Sequence, residues 1–146
     1  MRFHEVIHGV YFDDLDILGV LHNARYAVLL ERTIGDFWKK MGWGGLAELN
    51  RNPDQFHVVR VNHLEYVRAV EGHDEVRVRI WVEKLGRTSL NFGFSVLPTD
   101  EDTIFAKGYR VLVSVDQESR RPKPWSEEFR QKLTPYRADI RNEESK

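Results

Sequence analysis

The chain has no cysteine, no long apolar run and no surplus of charge of either sign. The missing cysteine excludes disulfides, thiolate metal ligands and a cysteine nucleophile, and it suits a reducing compartment. No apolar run approaches the ~20 residues of a membrane-crossing helix. The segment Met1-Arg2-Phe3-His4-Glu5 carries charge where a secretory signal would carry its apolar stretch, so a soluble, cytoplasmic protein is expected. Lys and Arg total 22 against 23 Asp and Glu, a formal net charge of −1 with a pI near 6.6. The basic footprint of a protein that binds nucleic acid or an anionic membrane is therefore absent. Metal-ligand spacing is missing too. His4, His8, His57, His63 and His73 form no H-E-x-x-H arrangement, and the acidic residues around Asp14 lack the closing glutamate of a helix-loop-helix calcium loop. No metal and no cofactor is expected.

What is present is 146 residues with 41% hydrophobic and 12% aromatic content, which fits one domain, residues 1–146, with a real core. The chain is organised round Asp13-Asp14-Leu15-Asp16-Ile17-Leu18-Gly19-Val20-Leu21-His22-Asn23-Ala24-Arg25-Tyr26, an acidic turn that runs into the start of the only long helical pattern. A carboxylate so placed lies beside the unpaired N–H groups and positive dipole end of that helix. Such a setting suits chemistry on a carbonyl.

Phe3 to Phe12, rich in Val, Ile, Tyr and Phe, reads as a first strand. Asn23 suits an N-cap. Tyr26, Leu29, Leu30, Thr33, Ile34, Phe37, Trp38 and Met41 recur at spacings of three and four, which predicts a helix ending near Gly42. A breaker-rich loop follows, with a short helix expected around Leu46 to Leu49. Phe56 to Val70 reads as extended chain, and Val76, Val78, Ile80 and Val82 then alternate with Arg77, Arg79, Trp81 and Glu83. Leu90, Phe92, Phe94 and Val96 alternate again, and Tyr109, Val111, Val113 and Val115 supply a last strand. Trp81, Phe92 and Phe94 are expected in the core. Residues 117–146 read as a polar connector, a short helix over Glu127 to Leu133 capped by Ser126, and a charged tail. One apolar helix followed by a run of antiparallel strands implies an α+β fold, a sheet of about five strands curled round the helix. Its exposed edge strands call for pairing with another subunit, so a homodimer is expected.

Asp14, Asp16, Gly19, Asn23 and Tyr26 spell D-x-D-x-x-G-x-x-x-N-x-x-Y, and an acidic residue, Glu31, follows in the helix. Gly72-His73-Asp74, Gly86-Arg87-Thr88-Ser89, Val115-Asp116 and Arg121-Pro122 come after in order. Over nearly the whole chain this pattern resembles the hotdog-fold acyl-CoA thioesterases of the 4-hydroxybenzoyl-CoA thioesterase type. The family often has His after its glycine, where this chain has Val20, so no histidine role is carried there. The resemblance implies a hotdog fold and hydrolysis of a thioester joining an acyl group to coenzyme A. It also implies a homodimer whose sheets join edge to edge, with active sites between subunits, and homotetramers built from such dimers.

The family's catalytic carboxylate falls on Asp16. A thioester carbonyl needs an attacking oxygen and something to hold the negative charge that forms on its own oxygen. Asp16 can attack directly or deprotonate a water, and the sequence leaves both open. The backbone N–H groups of Asn23 or Ala24 would polarise the carbonyl. Asp13 and Asp14 read as turn and capping carboxylates. Gly19, His22, Tyr26 and Glu31 are supporting residues, with His22 a packing residue of secondary role and Glu31 a structural carboxylate, buried and paired. Arg60, Arg68, Lys84 and Arg87 are available to the phosphates of coenzyme A, and the donor-rich turn Arg87-Thr88-Ser89 is the preferred contact. Two other functions fit the same pattern: a hotdog dehydratase or hydratase acting on acyl thioesters, and a non-catalytic acyl-CoA binding module. Aromatic, short-chain and branched acyl groups are all admissible, as is an acyl carrier protein in place of coenzyme A.

Overall fold

The computed structural model describes residues 1–43 and 54–140, so the short helix expected at Leu46 to Leu49 and the end of the charged tail lie outside the described residues. In chain order come β1 (His4–Gly9), a 3-10 turn (Phe12–Asp14), α1 (Asn23–Lys40), β2 (His57–Tyr66), β3 (Glu75–Leu85), β4 (Ser89–Leu97), β5 (Ala106–Ser114), α2 (Glu127–Leu133) and a second 3-10 turn (Thr134–Tyr136). The strands make one sheet in the order β1-β3-β4-β5-β2, with every neighbouring pair antiparallel. Strands β1 and β2, which flank α1 in the chain, are thereby sent to opposite edges of the sheet. This is the α+β hotdog arrangement.

The period of two in β3 puts Val76, Val78, Ile80 and Val82 on one face, each at most 1% exposed. Leu90, Phe92, Phe94 and Val96 of β4 join them, and α1 lays Tyr26, Leu29, Leu30, Thr33, Ile34 and Phe37 into the same core. Full burial of an apolar side chain contributes about 1.5–3 kcal/mol, so packing rather than helix propensity holds α1 in place. Phe37 is the pivot, with its ring 5.2 Å from His4, 5.9 Å from Phe92 and 4.9 Å from Tyr136. Trp81 departs from the expected core position. It lies with Arg77 and Arg79 on the opposite face, beside Gly93, where an added Cβ would come 2.5 Å from the indole. Ahead of the register shift that follows Val82, an odd position in β3 faces that way however apolar its side chain.

Two histidines fasten β1 to α1. His4 Nε2 lies 3.0 Å from Asp36 Oδ2, and His8 Nε2 lies 2.8 Å from Thr33 Oγ1. The Thr33 hydroxyl gives its one hydrogen to the Leu29 carbonyl at 2.7 Å, so His8 is the donor in its own bond. At the other end of the helix the C-terminal segment closes the core. Ser126 caps α2, accepting from Phe129 N, and its own hydroxyl donates to Asp54 at 2.5 Å. Trp125 and Phe129 stack at 4.3 Å, Phe129 and Trp43 at 5.3 Å. Edge strand β2 is left open, with Val58 and Val59 51% and 46% exposed and a register shift at Arg60.

Candidate active site

The acidic turn folds into a tight loop because its side chains bond their own backbone. Asp14 Oδ2 accepts from Tyr11 N at 2.8 Å, its carbonyl accepts from His22 N at 2.8 Å, and its Oδ1 lies 3.5 Å from Arg25 Nε. Asp14 is thus a structural carboxylate, as expected. Asp16 Oδ1 accepts from Leu18 N at 2.8 Å and Val20 N at 3.3 Å, while Asp16 N donates to the Val20 carbonyl at 2.9 Å. Closing this loop takes Gly19 at φ +77°, a left-handed conformation that costs other residues. Leu21 N then bonds the Val70 carbonyl at 3.1 Å, which ties the loop to the segment after β2.

The result is a cavity of about 650 Å³ whose wall includes Asp16, His22, Asn23, Tyr26, Tyr66 and Arg68. One oxygen of Asp16 is anchored by backbone donors; among the described residues the other, Oδ2, has no protein partner. An anchored carboxylate with one free oxygen is suited to accept a proton or to attack. The first N–H groups of α1 open on the same space. Asn23 is not the N-cap that its residue type suggests. That position belongs to His22, whose Nδ1 accepts from Ala24 N at 3.2 Å, so Asn23 is the first residue of the helix. The cap leaves the Asn23 N–H without an acceptor among the described residues and engages that of Ala24.

Tyr26 is 3% exposed and meets Tyr66 edge-on at 5.1 Å. Burial, reinforced by Tyr66 and Asp16 and partly offset by a bond to the Val70 backbone, raises its pKa, so it stays a neutral phenol. Tyr66 donates to the Asn23 carbonyl at 3.3 Å. At the rim Arg68 donates to Glu101 Oε1 and the Thr103 carbonyl, each at 3.3 Å, with its guanidinium 4.3 Å over Phe105. Tyr66 had no signal in the sequence beyond its place at the end of a strand.

The structure does not bring every expected residue together. Arg87-Thr88-Ser89 sits at the other end of the strands. Ser89 pairs with Val113 of β5, whereas the cavity adjoins the end where Tyr66 pairs with Ala106. The turn's backbone is committed to the fold: Trp125 N bonds the Arg87 carbonyl at 3.0 Å and Ser114 N the Thr88 carbonyl at 2.8 Å. Arg60 stands exposed at the bulge of β2, away from the cavity wall. Glu31 is paired, with Arg110, but it is 68% exposed rather than buried; the buried member of the pair is the arginine, 5% exposed. Among the described residues no three His, Asp or Glu side chains gather as a metal site would require, and no helix is long and apolar enough to cross a membrane.

A five-stranded hotdog with a carboxylate at the start of its long helix defines a class, and comparison with known proteins gives the family. The chain belongs to the thioesterase-like superfamily, whose model matches residues 10–133, from the acidic turn through α2. It is similar to the uncharacterized protein YsmA of Bacillus subtilis (strain 168), 23% identical over 125 residues that make up 86% of this chain and 81% of that one. Among solved structures it is similar to a thioesterase from Thermus thermophilus complexed with coenzyme A and Zn, 28% identical with a TM-score of 0.74 over 90% of this chain and 92% of that one. The DHNA-CoA thioesterase from Staphylococcus aureus matches at 18% identity, with a TM-score of 0.80 over 100% of this chain and 97% of that one.

Proposed function

We propose that this protein is a cytoplasmic acyl-CoA thioesterase of the 4-hydroxybenzoyl-CoA thioesterase type, with Asp16 as its catalytic carboxylate. The observation that carries the reading is the half-anchored state of Asp16 in the wall of a cavity also lined by Asn23, whose N–H has no acceptor among the described residues. The thioester carbonyl oxygen would accept from that N–H, at the positive end of α1, where developing negative charge is stabilised. Oδ2 either attacks the carbonyl carbon or takes a proton from an attacking water. Direct attack breaks the C–S bond and leaves an acyl anhydride on Asp16 that a water must then hydrolyse to release the free acid, whereas the water route breaks the C–S bond and gives the acid directly; in both the thiolate of coenzyme A collects a proton. The neutral phenol of Tyr26 and the ring of His22 shape the acyl entrance. Membership of the thioesterase-like superfamily and likeness to a thioesterase that binds coenzyme A support this reading.

The phosphates of coenzyme A are proposed to meet Arg68 at the rim. Arg60 and Arg87-Thr88-Ser89 would contribute from a second copy. A homodimer formed along the open edge of β2, and tetramers made from it, would bring such residues to the cavity and cover the exposed Val58 and Val59. The test is thiol release from a panel of aliphatic and aromatic acyl-CoAs by wild type and Asp16→Asn. Turnover by wild type and a loss of about 10²–10⁴-fold in the folded variant are expected. Undiminished release by the variant would remove Asp16 from the mechanism. Binding of acyl-CoA without release by wild type would replace hydrolysis with a ligand-binding role.

A further inference from the structure

Hydrolysis of a thioester in the Asp16 cavity puts negative charge in two places. The carbonyl oxygen has the Asn23 N–H, but the sulfur also becomes an anion as the C–S bond breaks. Of the side-chain donors in the wall, Tyr66 gives its hydrogen to the Asn23 carbonyl, and Arg68 stands at the rim against Glu101 and Thr103. His22 is placed differently. Its Nδ1 accepts from Ala24 N at 3.2 Å, and a ring nitrogen that accepts from an N–H carries no hydrogen of its own. The hydrogen of the neutral ring is therefore on Nε2, where it has no acceptor among the described residues.

The same bond holds the imidazole against the first turn of α1. The two ring nitrogens face opposite sides, so Nε2–H is directed away from the helix. Burial places this donor along the cavity. Leu21 and Tyr26, 4% and 3% exposed, form the buried part of the wall, while His22 and Asn23 are exposed side by side at its mouth. Coenzyme A is large and charged and has to stay on the exposed side of the carbonyl. The sulfur then lies on the side where His22 stands.

Resting on the thioesterase reading of that cavity, we propose that His22 is a catalytic residue whose Nε2–H donates a hydrogen bond to the thioester sulfur as the C–S bond breaks. The electron pair of that bond goes to sulfur, the imidazole keeps its hydrogen, and the thiolate takes its proton from water as it leaves. Such a bond is weak to the sulfur of an intact thioester and strong to a thiolate, so it favours the transition state over the bound substrate. A donor already oriented costs no reorganisation when the charge appears. The two roles also account for the residue type. Ser, Thr, Asp or Asn is the usual N-cap, but only histidine can cap with one nitrogen and donate from the opposite side of the same ring.

The test compares wild type with His22→Ser, whose hydroxyl oxygen can cap α1 but is too short to reach the sulfur. Two thioesters of one acyl group are used, one of N-acetylcysteamine, a basic alkyl thiol like coenzyme A, and one of thiophenol, whose thiolate is far less basic. In the variant, kcat/KM for the alkyl thioester is expected to fall about tenfold to a hundredfold, the worth of a hydrogen bond to a charged group, and that for the phenyl thioester should hardly change. Affinity for a non-hydrolysable thioether analogue of the acyl-CoA should stay the same, since the bond is made only in the transition state. Nitrogen NMR of the free protein should show the His22 hydrogen on Nε2. An equal loss with both leaving groups, weaker binding of the thioether analogue without slower turnover, or the hydrogen on Nδ1 would each reduce His22 to a cap and overturn the proposal, leaving hydrolysis by Asp16 intact. No thiol released by wild type from any thioester would overturn the hydrolase reading and this role with it.

Discussion

The two flanks of α1 differ in what they meet. Toward β1 the helix is closed: His4 bonds Asp36, His8 bonds Thr33, and Phe37 packs beneath them with almost no exposure. Toward β2 it is open, with a cavity at each of two levels and a strand most of whose residues are exposed. On the closed flank polar groups satisfy one another at short range and do structural work. On the open flank one oxygen of Asp16 and one nitrogen of Arg110 are left without protein partners among the described residues. Unspent hydrogen-bonding capacity in a cavity wall is what a ligand can use, so chemistry belongs to the flank that the sheet leaves uncovered.

Substitutions on the two flanks should fall on different measurements. On the open side, Asp16→Asn is expected to cut turnover by about 10²–10⁴-fold with little change in thermal midpoint, because the amide oxygen can still accept from Leu18 and Val20. On the closed side, Phe37→Ala is expected to lower unfolding free energy by about 3–5 kcal/mol in a denaturant titration. The two kinds of loss would be confused only if the helix were equally packed on both sides. Gly19→Ala should cost about 1–2 kcal/mol, all from its positive φ, since nothing lies within 4 Å of an added Cβ. It should also slow turnover, because the same loop aims Asp16. A cost in activity without a cost in stability would show the loop to be less constrained than its hydrogen bonds imply. Replacing the cap, His22→Ala, should lower stability by about 1 kcal/mol and leave the Ala24 N–H free, which faster hydrogen exchange at Ala24 would detect.

The smallest expected effect is pH dependence on the closed flank. Burial lowers the pKa of His4, opposed by Asp36, and burial together with Arg32 lowers that of His8. Their ordinary value is 6.5, so the unfolded chain binds more protons than the folded one as pH falls through that value. Stability from these two sites is complete above pH 6.5 and declines below it until the folded rings also protonate. Thermal midpoints of wild type and His8→Gln across that range would read this out. A slope unchanged by the substitution would exclude His8 as a contributor.

Much of the scaffold was legible along the chain. The alternation of Val76, Val78, Ile80 and Val82 marked a half-buried strand, and the three-and-four spacing from Tyr26 to Phe37 marked the buried face of α1. Ser126 was readable as a cap because its role is local. The N-cap of α1 was not: Asn23 has the better intrinsic preference, yet the bond from His22 N to the Asp14 carbonyl fixes the chain one residue earlier. Trp81 looked like core by composition and was placed outside by its strand parity. Arg87-Thr88-Ser89 looked like a phosphate site by its donors and proved to lie at the far end of the sheet from Asp16.

Local periodicity and turn chemistry by themselves determined the elements and the α+β class, because each depends on neighbours within a few positions, and the resemblance of the acidic motif to a known family singled out Asp16 as the residue to test. Tertiary structure alone decided which polar groups stay unspent. By sending β1 and β2 to opposite edges it closed one side of α1 and opened the other. It also buried Arg110 opposite an exposed Glu31, 79 positions away in the chain. A one-dimensional pattern carries no record of such pairings, since their energy comes from burial that exists only once the sheet has formed.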